Sequence, residues 1–124
     1  MRALLDTSVV VTGLRLDGIA GAVSVVTVAE LRYGVARRPP EPELQVRRTR
    51  LAHVRRTYAP LSVDEAVAEA WGELAAHCLA RGRQPRRRAM DLMIAATAQA
   101  HGLTLLSLDD DLLWLSDVLD VRRP

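Results

Sequence analysis

The stretch MDLMIAATAQAHGLTLLSLDDDL, residues 90 to 112, reads as a helix, a stop, a strand and an acidic turn, in that order. Apolar residues recur at helical spacing from about Ala89 to His101, and Gly102 supplies the left-handed residue that closes such a helix. Leu103 to Ser107 then form a strand, and Asp109-Asp110-Asp111 opens a short last helix before Val118 to Val121. Asp91 stands in the first turn of the helix, and its i+3, i+4 and i+7 neighbours are Ile94, Ala95 and Ala98, which places it on the buried face. A helix dipole favours an acid there by about 0.3 to 1 kcal/mol at the surface. Burying an uncompensated carboxylate costs several kcal/mol, so the position calls for a cation or strong donors beside it.

Upstream, the same alternation repeats. Residues 3 to 5 are a short apolar strand ending at Asp6, and Thr7 or Ser8 can cap a helix that buries Val10, Val11 and Leu14. Gly18 and Gly21 break the chain, and residues 22 to 26 read as a second strand. Thr27 is the expected N-cap of a helix over VAELRYGVA, stopped by Arg-Arg-Pro-Pro at 37 to 40. An arginine-rich helix spans residues 43 to 58. Ser62 and Glu65 form a capping-box pair for a helix running to about Arg81, ended by Gly82. The basic loop GRQPRRR leads back to the opening stretch. Strands alternating with helices imply one α/β domain over residues 1 to 124, with a central parallel sheet covered on both faces.

Composition narrows the function classes. The chain of 124 residues is 49% hydrophobic, enough for a core of its own. No run of about 18 apolar residues is present, and the start MRALLDTSVVV interrupts its apolar run with an acid, so neither a membrane span nor a signal peptide is expected and the reading is cytoplasmic. The single cysteine, Cys78, offers no disulfide framework and no cysteine-rich zinc site. All 17 basic residues are arginine. The absence of lysine, asparagine and phenylalanine fits a GC-rich coding bias, while the clusters at 47 to 56 and 81 to 88 offer phosphates a basic surface.

The acids at the strand ends are the informative residues. Asp6 lies at the carboxyl end of the first strand, the edge where open α/β sheets bind ligands; Thr7 and Ser8 can cap the following helix equally well, so an acid is not needed for that task. Glu30 has a structural explanation, because Thr27 and Glu30 fit a T-x-x-E capping box. Asp109 has one too, as a charge at a helix start. Topology raises both, since Glu30 belongs to the helix after strand two and Asp109 follows the next strand, on the edge that carries Asp6.

Taken in order, LLDTSVVV, SVVTVAELRYGV and MDLMIAATAQAHGLTLLSLDDDL resemble the PIN-domain ribonucleases of the VapC toxin type, from Leu4 to about Val121. The resemblance implies a PIN-like three-layer α/β/α fold and an acidic site made of Asp6, Glu30, Asp91 and Asp109. It further implies an endoribonuclease of a toxin-antitoxin pair, with RNA as substrate, a VapB-like antitoxin as partner and a tendency to homodimerise. An arginine of the antitoxin would suit the acidic groove, since a guanidinium meets a carboxylate bidentately. The chain departs from the family where Thr-Arg often precedes the last acid and Ser107-Leu108 stands here, and Asp111 could share or take over the role given to Asp109.

A carboxylate cluster without histidine or cysteine of ligand spacing suits hard ions with oxygen ligands, Mg²⁺ or Mn²⁺. Asp6 and Asp91 are the expected main ligands, Glu30 a direct or water-mediated one, Asp109 an outer ligand or part of a second-ion site, and Thr7 and Ser107 their hydrogen-bonding supports, with one ion or two left open. His53, His77 and His101 are scattered, and no P-loop, G-x-S-x-G or dinucleotide motif occurs. Trp71 and Trp114 read as packing residues. A receiver domain of similar length needs a lysine that this chain lacks. A non-catalytic PIN-like module binding RNA or protein is the alternative, separated by an ion-dependent cleavage assay. RNA specificity is expected in basic loops such as residues 82 to 88.

Overall fold

The computed structural model describes residues 1 to 124. Four parallel strands, β1 (Arg2–Leu5), β2 (Ala20–Ala22), β3 (Thr104–Leu106) and β4 (Val121–Arg122), lie in the order β2-β1-β3-β4. Period-two alternation splits their side chains between two cores. Leu4 and Leu105 face one side and pack with helices α4 (Glu65–Ala80), α5 (Ala89–Ala100) and α6 (Asp110–Leu113) through Val67, Leu74, Leu92, Ile94 and Leu112. Ala3, Leu5 and Leu106 face the other and pack with α1 (Thr7–Val10), α2 (Val25–Ala36) and α3 (Glu43–Thr57) through Val9, Leu31, Val35, Leu51 and Val54. The result is the expected α/β/α sandwich. The chain leaves β1 toward β2 on one side while β3 lies on the other, so the order reverses at the β1/β3 boundary. In a parallel sheet that boundary opens a crevice at the carboxyl ends of the strands.

Five local expectations are corrected. The second strand is Ala20–Ala22, not residues 22 to 26. Its register pairs Ala3 with Gly21, and Gly21 sits so close to Leu5 that a Cβ would approach the Leu5 side chain to 3.1 Å. Val23 and Val25 bond instead to Leu61, through 2.9 Å hydrogen bonds in both directions. That pairing fixes Ser24 as the cap of α2, where its Oγ accepts the Val26 N–H at 3.0 Å, and leaves Thr27 inside the helix.

The cap of α4 is likewise Asp64, which accepts from the Val67 N–H at 3.0 Å, and not Ser62. The first helix is a single turn that buries Val9, while Val11 and Leu14 are exposed; Gly13, with φ of 67°, turns the chain away before a longer apolar face can form. Finally, the last strand is Val121–Arg122, because residues 114 to 117 continue α6 as a 3-10 turn and Val118 ends that turn. No helix is long and apolar enough to cross a membrane.

Candidate active site

Asp6 leaves β1 at the switch point and is only 3% exposed. It occupies the N-cap position of α1 by backbone alone, since its side chain accepts nothing from the helix amides. Its Oδ2 is held by two hydroxyls: Ser8 Oγ donates at 2.6 Å and Ser107 Oγ at 2.9 Å. The capping explanation of this acid therefore fails. The same hydroxyls also accept from backbone, Ser8 Oγ from the Leu108 N–H of the opposite turn and Ser107 Oγ from the Asp109 N–H of its own turn, each at 3.0 Å. The turns after β1 and β3 are thus laced together across about a hundred residues of sequence.

Glu30 approaches from α2. Because Ser24 caps that helix, Glu30 is not half of a capping box; its Oε1 accepts from Thr7 Oγ1 at 2.8 Å, and Thr7 Oγ1 also lies 2.9 Å from the buried Thr27 Oγ1. Burial pushes the Glu30 carboxyl above the usual carboxylate range, the Thr7 hydroxyl opposes that shift, and the negative charges of Asp91 and Asp6 add to it. Asp91, on the first turn of α5, is raised in the same way by burial, with Asp6 and Asp109 adding to the rise and Arg88 opposing it. The Asp6 charge thus reaches both Glu30 and Asp91, that of Asp91 reaches Glu30, and that of Asp109 reaches Asp91.

Arg88 closes the open side. It ends the 3-10 turn Pro85–Arg88 that joins the basic loop to α5, and its Nη1 lies 3.1 Å from Asp91 and 3.5 Å from Asp109 while Nη2 pairs with Asp111. Asp109 is fixed from its other oxygen, which caps α6 by accepting the Asp111 N–H at 2.9 Å. Asp111 stands further out, 42% exposed and 3.6 Å from Arg83. With the side chains in this arrangement no three acids enclose a common point as an ion cage. The cation among the outer acids is a guanidinium.

The structure brings together all four expected acids with Thr7 and Ser107, and leaves His53, His77 and His101 outside the cluster. Sequence reading missed Ser8, Thr27 and Arg88 as parts of it. Ser8 was legible only as a cap candidate, Thr27 was assigned to the helix start, and Arg88 was one of three consecutive arginines with nothing local to single it out.

Comparison with known proteins agrees with this fold. The model of the PIN domain matches residues 3–117. Ribonuclease VapC4 of Mycobacterium tuberculosis is 41% identical, over 94% of this chain and 93% of its own length. Ribonuclease VapC5 of the same organism is 35% identical over 96% of this chain and 91% of its own. Among solved structures, a member of the VapBC family of toxin-antitoxin systems, VapBC-5 from Mycobacterium tuberculosis, superposes with a TM-score of 0.83 at 33% identity, covering 98% of this chain and 96% of that one. FitAcB from Neisseria gonorrhoeae superposes with a TM-score of 0.73 at 30% identity, over 100% of this chain and 98% of that one. Coverage at both ends and an acid cluster at the switch point lead to one conclusion: the chain belongs to the PIN domain family, among its VapC-type ribonucleases.

Proposed function

We propose that this protein is an Mg²⁺- or Mn²⁺-dependent endoribonuclease, the toxin of a VapBC-type pair, with Asp6, Glu30, Asp91 and Asp109 as its active-site acids. The observation that carries the reading is the way Asp6 is held. Two neutral hydroxyls fix a buried acid and bring no positive charge to it, an arrangement that costs folding energy for a carboxylate unless a cation repays it. The donor set is all oxygen, which suits a hard divalent ion. Asp6 and Asp91 would be its main ligands, Glu30 a direct or water-mediated one, and Asp109 an outer one. Such an ion supplies positive charge to a phosphodiester and makes a nearby water more acidic.

The chain's own residues do the rest. Ser8 and Ser107 orient Asp6, and Thr7, braced by Thr27, orients Glu30, so two acids on the floor of the crevice are fixed before any substrate arrives. Arg88 balances the charge of the outer acids and stands where it can move from carboxylate to phosphate oxygen, since the fork of a guanidinium fits both. No histidine pair is available to take a proton from the substrate's 2′-hydroxyl, which supports attack by water. Asp109 is favoured over Asp111 as the fourth acid because it interacts with the Asp91 charge and is the less exposed of the two. The family likeness supports a VapB-like antitoxin and a second copy of the chain as partners, and a toxin acting on RNA would work in the cytoplasm.

The test is cleavage of a labelled RNA with and without EDTA, followed by analysis of the ends. Activity should vanish on chelation and return with Mg²⁺ or Mn²⁺, leaving a 5′-phosphate and a 3′-hydroxyl. Activity that survives full chelation, or a 2′,3′-cyclic phosphate end, would overturn the reading.

A further inference from the structure

The acid cluster lies between two unlike clefts. One, of about 310 Å³, reaches the cluster at Thr7 and Glu30 and is lined beyond them by Gly34, Glu43, Arg47 and Arg50. Its cations are simple: Arg47 is tied to Glu43 at 2.8 Å and to the Gly34 carbonyl at 2.8 Å, and Arg50 makes no ion pair. No aromatic ring or free amide lines it. The other, of about 340 Å³, reaches the cluster at Asp91 and Asp111 and carries Arg83, Gln84, Arg87 and Trp114. Both volumes fall at the lower end of the size class of a small-ligand site.

The second cleft holds a built platform. The Arg83 guanidinium lies 4.2 Å from the centroid of the Trp114 ring, and the His77 ring stacks on Trp114 at 6.0 Å with 13° between planes. Arg83 is also 3.6 Å from Asp111, so its head group is held from two sides while its side chain remains 48% exposed. A flat cation fixed on an indole presents its other face to solvent, and nucleic-acid bases stack on guanidinium planes as they do on aromatic rings. Beside it, Gln84 has an amide engaged by no protein group, able to donate and accept on a base edge, and Arg87 is unpaired and exposed.

We infer that the Arg83–Trp114 stack is the seat of one base flanking the scissile phosphate, and that it sets the sequence preference of cleavage, while the cleft at Arg50 grips only the sugar-phosphate backbone. A strand whose phosphate lies at the acids would run from one cleft to the other, and only one of them has the chemistry to distinguish bases. This inference rests on the endoribonuclease reading of the site.

The experiment digests a fully randomised RNA pool with Mg²⁺ and sequences the ends. Wild type should show an enriched base at one fixed offset from the cut. Arg83→Gln, at an exposed position that leaves the fold alone, should flatten that enrichment by about fivefold or more, the scale of a lost base stack. Trp114→Phe, checked for folding by its melting curve, should weaken it to a lesser degree. Arg50→Gln should slow all sequences alike and lower the salt dependence by roughly 0.7 in the logarithmic slope, as for one lost phosphate contact on a single strand. An unchanged preference in Arg83→Gln, or a wild type with no preference at any offset, overturns the inference while leaving the ribonuclease reading standing. A wild type that cuts nothing in the pool strikes that reading instead.

Discussion

The floor and the rim of the acidic crevice are held by different chemistry. On the floor, Asp6 and Glu30 are positioned by the hydroxyls of Ser8, Ser107 and Thr7, all neutral donors; on the rim, Asp91, Asp109 and Asp111 are positioned by the charge of Arg88. A neutral donor orients a carboxylate without cancelling it, whereas a guanidinium does both. On the reading proposed above, the floor takes its cation from outside, whereas the rim already holds one in Arg88. The lesson is that a site can be rigid where the ion must be placed and adjustable where the substrate must enter.

The sharpest way to break this contrast is to remove a floor charge. Asp6→Asn should lower RNA cleavage by roughly a hundred- to a thousandfold or more, the scale of losing a group that stabilises transition-state charge, with the melting temperature unchanged or raised because like charges no longer crowd. Glu30→Gln should be nearly as severe; if it instead retains activity, the acid is structural. The next largest effect belongs to the hydroxyls. Ser8→Ala and Ser107→Ala should each reduce ion affinity or activity by about 10- to 100-fold, as supports of a ligand do, and a quantitative Mn²⁺ titration would show it. On the rim, Asp109→Asn should cost more cleavage than Asp111→Asn under the same assay; the reverse order would move the fourth acid by two residues.

Floor and rim also differ in how much of them could be read in advance. The helix at Asp91, its Gly102 stop, the following strand and the parallel sheet with helices on both faces were legible because periodicity and end signals there are local and agree. The start of α2 was not, because Ser24 and Thr27 are both good caps three residues apart and the choice is made by Leu61, which pairs with Val23 and Val25 from a distant segment. Asp6 stood out because it ends an apolar strand and Asp91 because it lies on the apolar face of its helix, while Glu30 and Asp109 were raised by their place in the topology. Thr7 and Ser107 were expected as supports of the acids, but the share of Ser8 stayed hidden because it and Ser107 are 99 residues apart and only the parallel register of β1 with β3 makes them neighbours. Arg88 gained its role from the 3-10 turn that aims it inward, which the run of three arginines does not announce.

A smaller effect concerns pH. Burial raises the Glu30 and Asp91 carboxyls above their values in the unfolded chain, so the folded protein keeps those protons to higher pH. The associated stability is complete below about pH 4, where the unfolded groups titrate, and is lost as pH rises through the raised folded values. In EDTA, the melting temperature of wild type should fall across that window relative to Glu30→Gln, and with Mn²⁺ present the relative fall should disappear because the ion binds the charged forms. A wild type whose pH profile parallels that of Glu30→Gln would contradict the shared-charge description.

The central claim, that these acids form one ion centre whose charge is set on the floor, is tested most directly by calorimetric titration of Mn²⁺ into three proteins. Wild type should bind, Asp6→Asn should lose about a hundredfold or more in affinity, in line with removal of a main ligand, and Arg88→Gln should bind several-fold more tightly because no resident cation must be displaced. Equal affinity in wild type and Asp6→Asn, or weaker binding in Arg88→Gln, would contradict the account.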